Sequence, residues 1–117
     1  MGIQILEIQQ GYAQLKMKVA EWMVQGHEVC HGGFLFTLAD TAMAYASNSY
    51  GPAHVALSAS LDFLRPANKG DILIAEAIEK NRTRSTGFYS VSVSNQEKKL
   101  VGEFRGRTYA LSSKVTN

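Results

Sequence analysis

Long apolar runs, cysteines and a strong charge of either sign are all scarce in this chain of 117 residues. No apolar stretch approaches the roughly 20 residues that a bilayer-spanning helix needs, so no transmembrane span is predicted. One cysteine, Cys30, excludes an internal disulfide framework and suits a reducing compartment. A formal net charge of +2, from 12 basic and 10 acidic residues, is too small a bias to indicate nucleic acid as a partner. With two prolines and no Pro- or Ser-rich stretch, nothing reads as a linker. The first residues, Met1-Gly2-Ile3-Gln4-Ile5-Leu6-Glu7, lack the basic-then-apolar layout of a signal peptide. The expectation is one soluble, cytoplasmic domain over residues 1–117. Its 45% hydrophobic content is enough to bury a core.

Periodicity supplies the elements. Ile3, Ile5 and Ile8, then Tyr12, Leu15, Met17 and Val19, recur mostly at every second position around Gly11, as in extended chain. From Gly33 to Asn48 the pattern changes: sixteen residues without internal Gly or Pro, rich in Leu, Ala, Phe and Met, predict a helix. It is apolar over most of its circumference, which predicts a helix wrapped by other structure. Its polar residues, Thr37, Asp40, Thr41, Ser47 and Asn48, are expected mainly on one stripe. Strands are predicted over 55–64, 71–79, 88–93 and 100–109, separated by Pro66, Asn68-Gly70 and a turn at 96–99. One long helix and five or six strands with short connections suggest an α+β domain, an antiparallel sheet curled around the helix.

Chemistry concentrates where that helix begins. His31-Gly32-Gly33 stands at its N-terminus, where backbone amides lack internal partners and carry the positive end of the helix dipole. Glycine lets a ligand approach those amides closely, and they suit a carbonyl oxygen gaining negative charge. The same glycines also serve a tight turn into the helix, and the triplet alone does not choose. Asp40 is the only acid between Glu28 and Asp62 and falls mid-helix. An unpaired buried carboxylate is costly, so its stripe must face a cleft, a partner or solvent. There it could activate water or attack an acyl carbon.

Spacing adds a constraint. Gly32 and Asp40 are eight positions apart, about 12 Å along a helix at roughly 1.5 Å per residue. An oxyanion donor and an attacking group must each reach the same carbonyl within about 3 Å. One helix cannot readily supply both, so if both act, a second copy in two-fold antiparallel arrangement completes the site.

Other candidates carry less. Cys30 beside His31 suggests a thiol–imidazole pair, but neighbours in sequence need not face each other, and a lone cysteine commonly packs as a small buried residue. His27, Glu28 and His31 lack a helical frame and a third ligand for zinc, and no metal is expected. Ser58 lies on a predicted strand. Lys80, Arg82, Thr83 and Arg84 form an alternating basic and hydroxyl run, and Arg105 and Arg107 share one face of the last strand. Such groups suit phosphate or a solvated strand end, and without a stacking platform nucleic acid is not expected. Phe34, Phe36, Tyr45 and Phe63 could line an apolar pocket or pack in the core.

The segment from His31 to Ala42 (HGGFLFTLADTA), with Leu61-Asp62-Phe63-Leu64-Arg65-Pro66 and Gly70-Asp71, resembles the hotdog-fold acyl-CoA thioesterases of the phenylacetate-pathway type. The likeness runs from about Gly11 to Tyr109. It implies a helix wrapped by a curved antiparallel sheet, dimers with a continuous sheet, and often tetramers. It also implies hydrolysis of a coenzyme A thioester, with coenzyme A as part of the substrate and no separate cofactor. By position the resemblance makes Asp40 the nucleophile or general base, and it has Gly32 of the opposite protomer donate its amide to the thioester oxygen. His31 then helps to hold that oxygen, Ser58 orients the water or the carboxylate, and Gly33 lies against substrate. Gln25 stands where the family tends to have Asn. It keeps the amide, adds a methylene, and inherits the task of polarising substrate or placing water. Lys80, Arg82, Thr83 and Arg84 become phosphate contacts. An aromatic acyl group such as phenylacetyl or hydroxyphenylacetyl is the expected substrate. The alternatives on this scaffold are an acyl-CoA-binding module without turnover and an enoyl-CoA hydratase.

Overall fold

Alternating residues become strands in the computed structural model, which describes residues 1–25 and 28–111. The elements in chain order are β1 (Gln4–Gln9), β2 (Tyr12–Lys18), a 3-10 turn (Glu21–Met23), β3 (Val24–Gln25), β4 (Val29–Cys30), α1 (Gly32–Ser47), β5 (His54–Phe63), β6 (Ile72–Arg82), β7 (Thr86–Ser94) and β8 (Leu100–Ala110). Six strands make one sheet in the order β1-β2-β6-β7-β8-β5, and every pairing in it is antiparallel. β3 and β4 form a separate small ladder. The predicted curved sheet around one helix is present, with six strands in the main sheet.

Period-two alternation decides what faces the helix. On β2, Ala13, Leu15 and Met17 are buried; β6 adds Leu73, Ala75 and Ala77; β7 adds Tyr89, Val91 and Val93. From α1 they meet Leu35, Leu38, Ala39, Ala42, Met43 and Ala46, whose three-and-four spacing makes one buried seam. Each fully buried Leu or Met here contributes about 1.5–3 kcal/mol by leaving water. The fit is close: a Cβ on Gly106 of β8 would collide with the Met43 sulfur, so any larger residue there must push the end of the Met43 side chain aside.

Two expectations shift. Gly32 is already helical, because His31 supplies the cap one residue earlier than composition suggests. Ser47, expected on the polar stripe, is buried and its Oγ donates to the Ala44 carbonyl at 3.2 Å. A hydroxyl bonded to its own turn is satisfied inside the core. The far side of α1 is uncovered: Phe36, Thr37, Ala44 and Tyr45 are exposed, and Asp40 and Thr41 are half-exposed among them. Strand β5, at the sheet's end beside this face, is exposed on both of its own faces from Val55 to Ser60.

Candidate active site

The helix N-terminus is held by three backbone bonds. His31 N–H donates to the Met23 carbonyl at 2.8 Å, Cys30 N–H to the Ala67 carbonyl at 2.7 Å, and Phe34 N–H to the His31 carbonyl at 3.0 Å. His31, extended at φ −63° and ψ 136°, is the cap, and its Nδ1 accepts from Gly33 N–H at 3.0 Å. With Nδ1 accepting, the neutral ring carries its proton on Nε2 and presents that nitrogen as a donor.

This cap separates the two glycines. The Gly33 amide is committed to His31. The Gly32 amide has no hydrogen-bond acceptor among the described residues, which leaves it as a donor at the positive end of the helix. Gly32 also lines a cavity of about 480 Å³ with Leu35, Phe63, Leu64, Arg65 and Ala67. A Cβ on Gly32 would lie 2.8 Å from Phe63 Cζ, so the ring sits directly over this position. The sequence alone leaves Phe63 between pocket and core and gives Leu64, Arg65 and Ala67 no role in a site. The Phe63–Pro66 stretch is the available signal, although nothing local reveals that it folds back onto the helix start. Arg65 is fixed by its Nη1 donating to the Leu100 carbonyl at 2.9 Å.

Asp40 lies on the uncovered face of α1, and its carboxylate forms no hydrogen bond or ion pair with the described residues. Thr37, one turn before it, and Thr41, the next residue, turn their hydroxyls to the Gly33 and Thr37 carbonyls at 2.9 and 2.6 Å. Partial burial therefore pushes the Asp40 carboxyl above its usual range, with no cation to offset it. Such a group favours proton uptake from water more than a solvated Asp does. The unbroken helix from Gly32 to Ser47 keeps the axial separation of Gly32 and Asp40 at about 12 Å. A single chain does not bring them to one carbonyl.

The remaining candidates are dispersed. The Gln25 side chain lies outside the described residues, and so does His27. Ser58 stands opposite Arg107, and Ala59 opposite Gly106, where β5 meets β8. Gly106 faces the helix, so Ser58 lies on the outer face of the sheet, away from its own chain's Asp40. Cys30 is buried, its Sγ donates to the His31 carbonyl at 3.6 Å, and burial pushes the thiol pKa up, which does not suit a nucleophile. Of the four aromatic candidates, Phe36, Tyr45 and Phe63 are exposed and Phe34 is half-buried. Phe34 meets Trp22 edge-on at 5.2 Å, so it walls the helix start together with an exposed indole.

The basic run is not a uniform patch. Arg82 is half-buried, stacks 3.8 Å from the Tyr50 ring and pairs with Glu79 at 3.9 Å. The Thr83 hydroxyl closes the β6–β7 turn, 2.6 Å from Thr86 Oγ1 and accepting Thr86 N–H at 3.0 Å. Only Lys80 and Arg84 of that run remain exposed without an ion pair among the described residues.

Comparison with known proteins bears on this arrangement. Residues 27–101 match the family model described as the thioesterase superfamily. The acyl-coenzyme A thioesterase PaaI of Escherichia coli is 44% identical over 116 residues, covering 99% of this chain and 83% of that enzyme. The solved structure of the E. coli PaaI protein, from the phenylacetic acid degradation operon, superimposes with a TM-score of 0.93 at 45% identity, over 94% of this chain and 80% of that one. A mutant of the phenylacetic acid degradation protein PaaI from Thermus thermophilus gives 0.89 at 40% identity, over 94% of each chain.

Proposed function

Because this chain belongs to the thioesterase superfamily, we propose that it hydrolyses acyl-CoA thioesters to a free acid and coenzyme A, at sites shared by two copies of the chain. The single observation that carries the proposal is the Gly32 amide on the wall of the 480 Å³ cavity, set about 12 Å along one helix from the Asp40 carboxylate, neither of them with a hydrogen-bond or ion-pair partner among the described residues.

In the reaction, the thioester carbonyl oxygen accepts from the Gly32 amide of one copy, with His31 Nε2–H as a second donor. Asp40 of the other copy takes a proton from water as the new C–O bond forms, or attacks the acyl carbon itself to give a mixed anhydride that water then hydrolyses, restoring the carboxylate. On either route the C–S bond breaks, and the coenzyme A thiolate leaves and is protonated. No metal is required. Cavity size and lining suit an aromatic acyl group such as phenylacetyl or hydroxyphenylacetyl, since pockets of about 300–1,000 Å³ with mostly apolar walls hold small ligands. The PaaI names of the relatives point the same way.

Shared sites need a surface for the twin. Strand β5 is paired with β8 on one side and, among the described residues, has no strand on the other; Val55, Leu57 and Phe63 are exposed on it, and it packs against α1, whose uncovered face bears Phe36, Asp40 and Tyr45. Edges of this kind invite pairing. A homodimer through β5 and α1, assembled further into a tetramer and working in the cytoplasm, is part of the proposal. The test is thiol release from a panel of acyl-CoAs by the parent protein and by Asp40→Asn. Release of thiol by the parent and its loss in the variant are expected. Tight acyl-CoA binding without release would overturn hydrolysis in favour of a binding module.

A further inference from the structure

The outer face of the sheet holds a second recess, on the opposite side from α1. Its volume is about 340 Å³, and Ser58, Ser60, Phe88, Arg105, Gly106 and Arg107 line it. The strand register builds it: Ser58, Arg107 and Phe88 are directly opposite one another across β5, β8 and β7, and Ser60, Arg105 and Ser90 form the next row. Alternation places both rows on the face turned from the helix, while Gly106 between them, and Phe104 and Thr108 on either side, face the core.

Its chemistry is one-sided. Arg107 has no ion-pair partner among the described residues, and Arg105 meets only the exposed Asp62, at 3.4 Å. Two guanidinium forks beside two hydroxyls are a donor-rich wall, and guanidinium geometry matches phosphate oxygens two at a time. Phe88, half-buried beside them, offers a flat apolar surface. Pairing of β5 with a second copy would use groups in the plane of the sheet and leave this face open.

We infer that this recess binds the phosphate groups of a nucleotide, with Arg105 and Arg107 as the anion contacts and Phe88 against the base. The recess is defined by its own residues and does not depend on the hydrolytic reading. Two sources share this chemistry: the nucleotide end of a coenzyme A substrate, or a separate nucleotide. From Ser58 to Phe63 the strand runs five residues, about 16 Å at roughly 3.3 Å each. A pantetheine arm is long enough for that span.

The probe is adenosine 3′,5′-bisphosphate, titrated calorimetrically into the full chain. The parent should bind it saturably, more weakly as salt rises. Arg107→Gln and Arg105→Gln, singly and together, should weaken binding, at least tenfold for the pair, while melting as the parent does. Competition identifies the source. A rise in KM for acyl-CoA with kcat unchanged, absent for the matching acyl-pantetheine, assigns the recess to the substrate's own tail. Binding without competition assigns it to a separate nucleotide. No saturable binding at millimolar probe, or equal affinity in the double variant, overturns the proposal. Because the titration needs no turnover, a failure of hydrolysis would be visible separately.

Discussion

Replacing Gly32 with proline removes one hydrogen-bond donor from the candidate site, at a steric cost confined to one neighbouring ring. Gly32 is the first helical residue after the His31 cap, and its amide is unused within the described fold. Proline is well tolerated at that helix position, where the N–H has no role in the helix. His31, at φ −63° and ψ 136°, already has the extended conformation that a residue before proline adopts. The steric cost falls on Phe63, whose Cζ would be 2.8 Å from the new Cβ. That ring ends a side chain 58% exposed and can swing aside. Gly32→Ala brings the same Cβ and keeps the N–H, so it subtracts the Cβ clash with Phe63. If the amide holds the thioester oxygen, Gly32→Pro should lower kcat about 10²–10³-fold relative to Gly32→Ala, or about 3–4 kcal/mol of transition-state stabilisation. KM should move little. Both variants should melt within about 4 °C of the parent, equivalent to about 1 kcal/mol in a domain of this size. The assay is thiol release followed by a chromogenic thiol reagent. Equal kcat in the two folded variants would refute the assignment of the oxyanion donor.

Three further perturbations, two at this site and one at Glu79, have definite expected outcomes. Asp40→Asn should lower kcat about 10²–10⁴-fold, and the parent's rate should fall on acidification with a midpoint above the ordinary Asp value of about 3.9, since burial raises this carboxyl and activity needs its ionised form. A group raised in the folded state loses its proton first in the unfolded chain as pH rises, so ionisation costs stability and Asp40→Asn should melt no lower than the parent at neutral pH. Co-refolded equal mixtures of Asp40→Asn and Gly32→Pro chains should regain about a quarter of the parent rate, because half of randomly formed dimers carry one intact pair of groups; hybrids that form, shown by native mass spectrometry, without regain would place both groups in one chain. Glu79→Ala should cost about 2–4 kcal/mol in a denaturant titration. It takes the acceptor from the buried Tyr89 hydroxyl and from Tyr50, and the 3.9 Å counter-ion from Arg82. The Tyr89 pKa, pushed up to about 12 by burial and then by Glu79, should fall in the same variant.

The fold was legible because its determinants are local. Alternation on Tyr12–Lys18 and Ile72–Arg82, and sixteen helix-forming residues on Gly32–Ser47, set each element's type and inner face. At the helix start the Gly-Gly pair was visible, but the division of labour within it was not. That division follows from one rotamer, the His31 ring turned back onto the Gly33 amide. Ser47 shows the same limit in the core, where its polar side chain suggested the outer stripe and a bond to the preceding turn allowed burial.

The basic residues give the sharper lesson, because charge in a sequence does not say whether the charge is already used. Lys80 to Arg84, through its alternating cations and hydroxyls, suited either phosphate or a solvated strand end. Folding engages its middle: Arg82 goes to Tyr50 and Glu79, and Thr83 to the turn. Arg105 and Arg107, two positions apart on β8, gain their meaning only when antiparallel register sets Ser58, Ser60 and Phe88 around them. A run of cations in sequence becomes dispersed, while cations on one strand face are gathered with hydroxyls from the next strand. The same logic governs the candidate active site. Gly32 and Asp40 share one helix, yet a rigid rod of about 12 Å holds them apart, so sequence proximity here argues for a second chain and against a site within one.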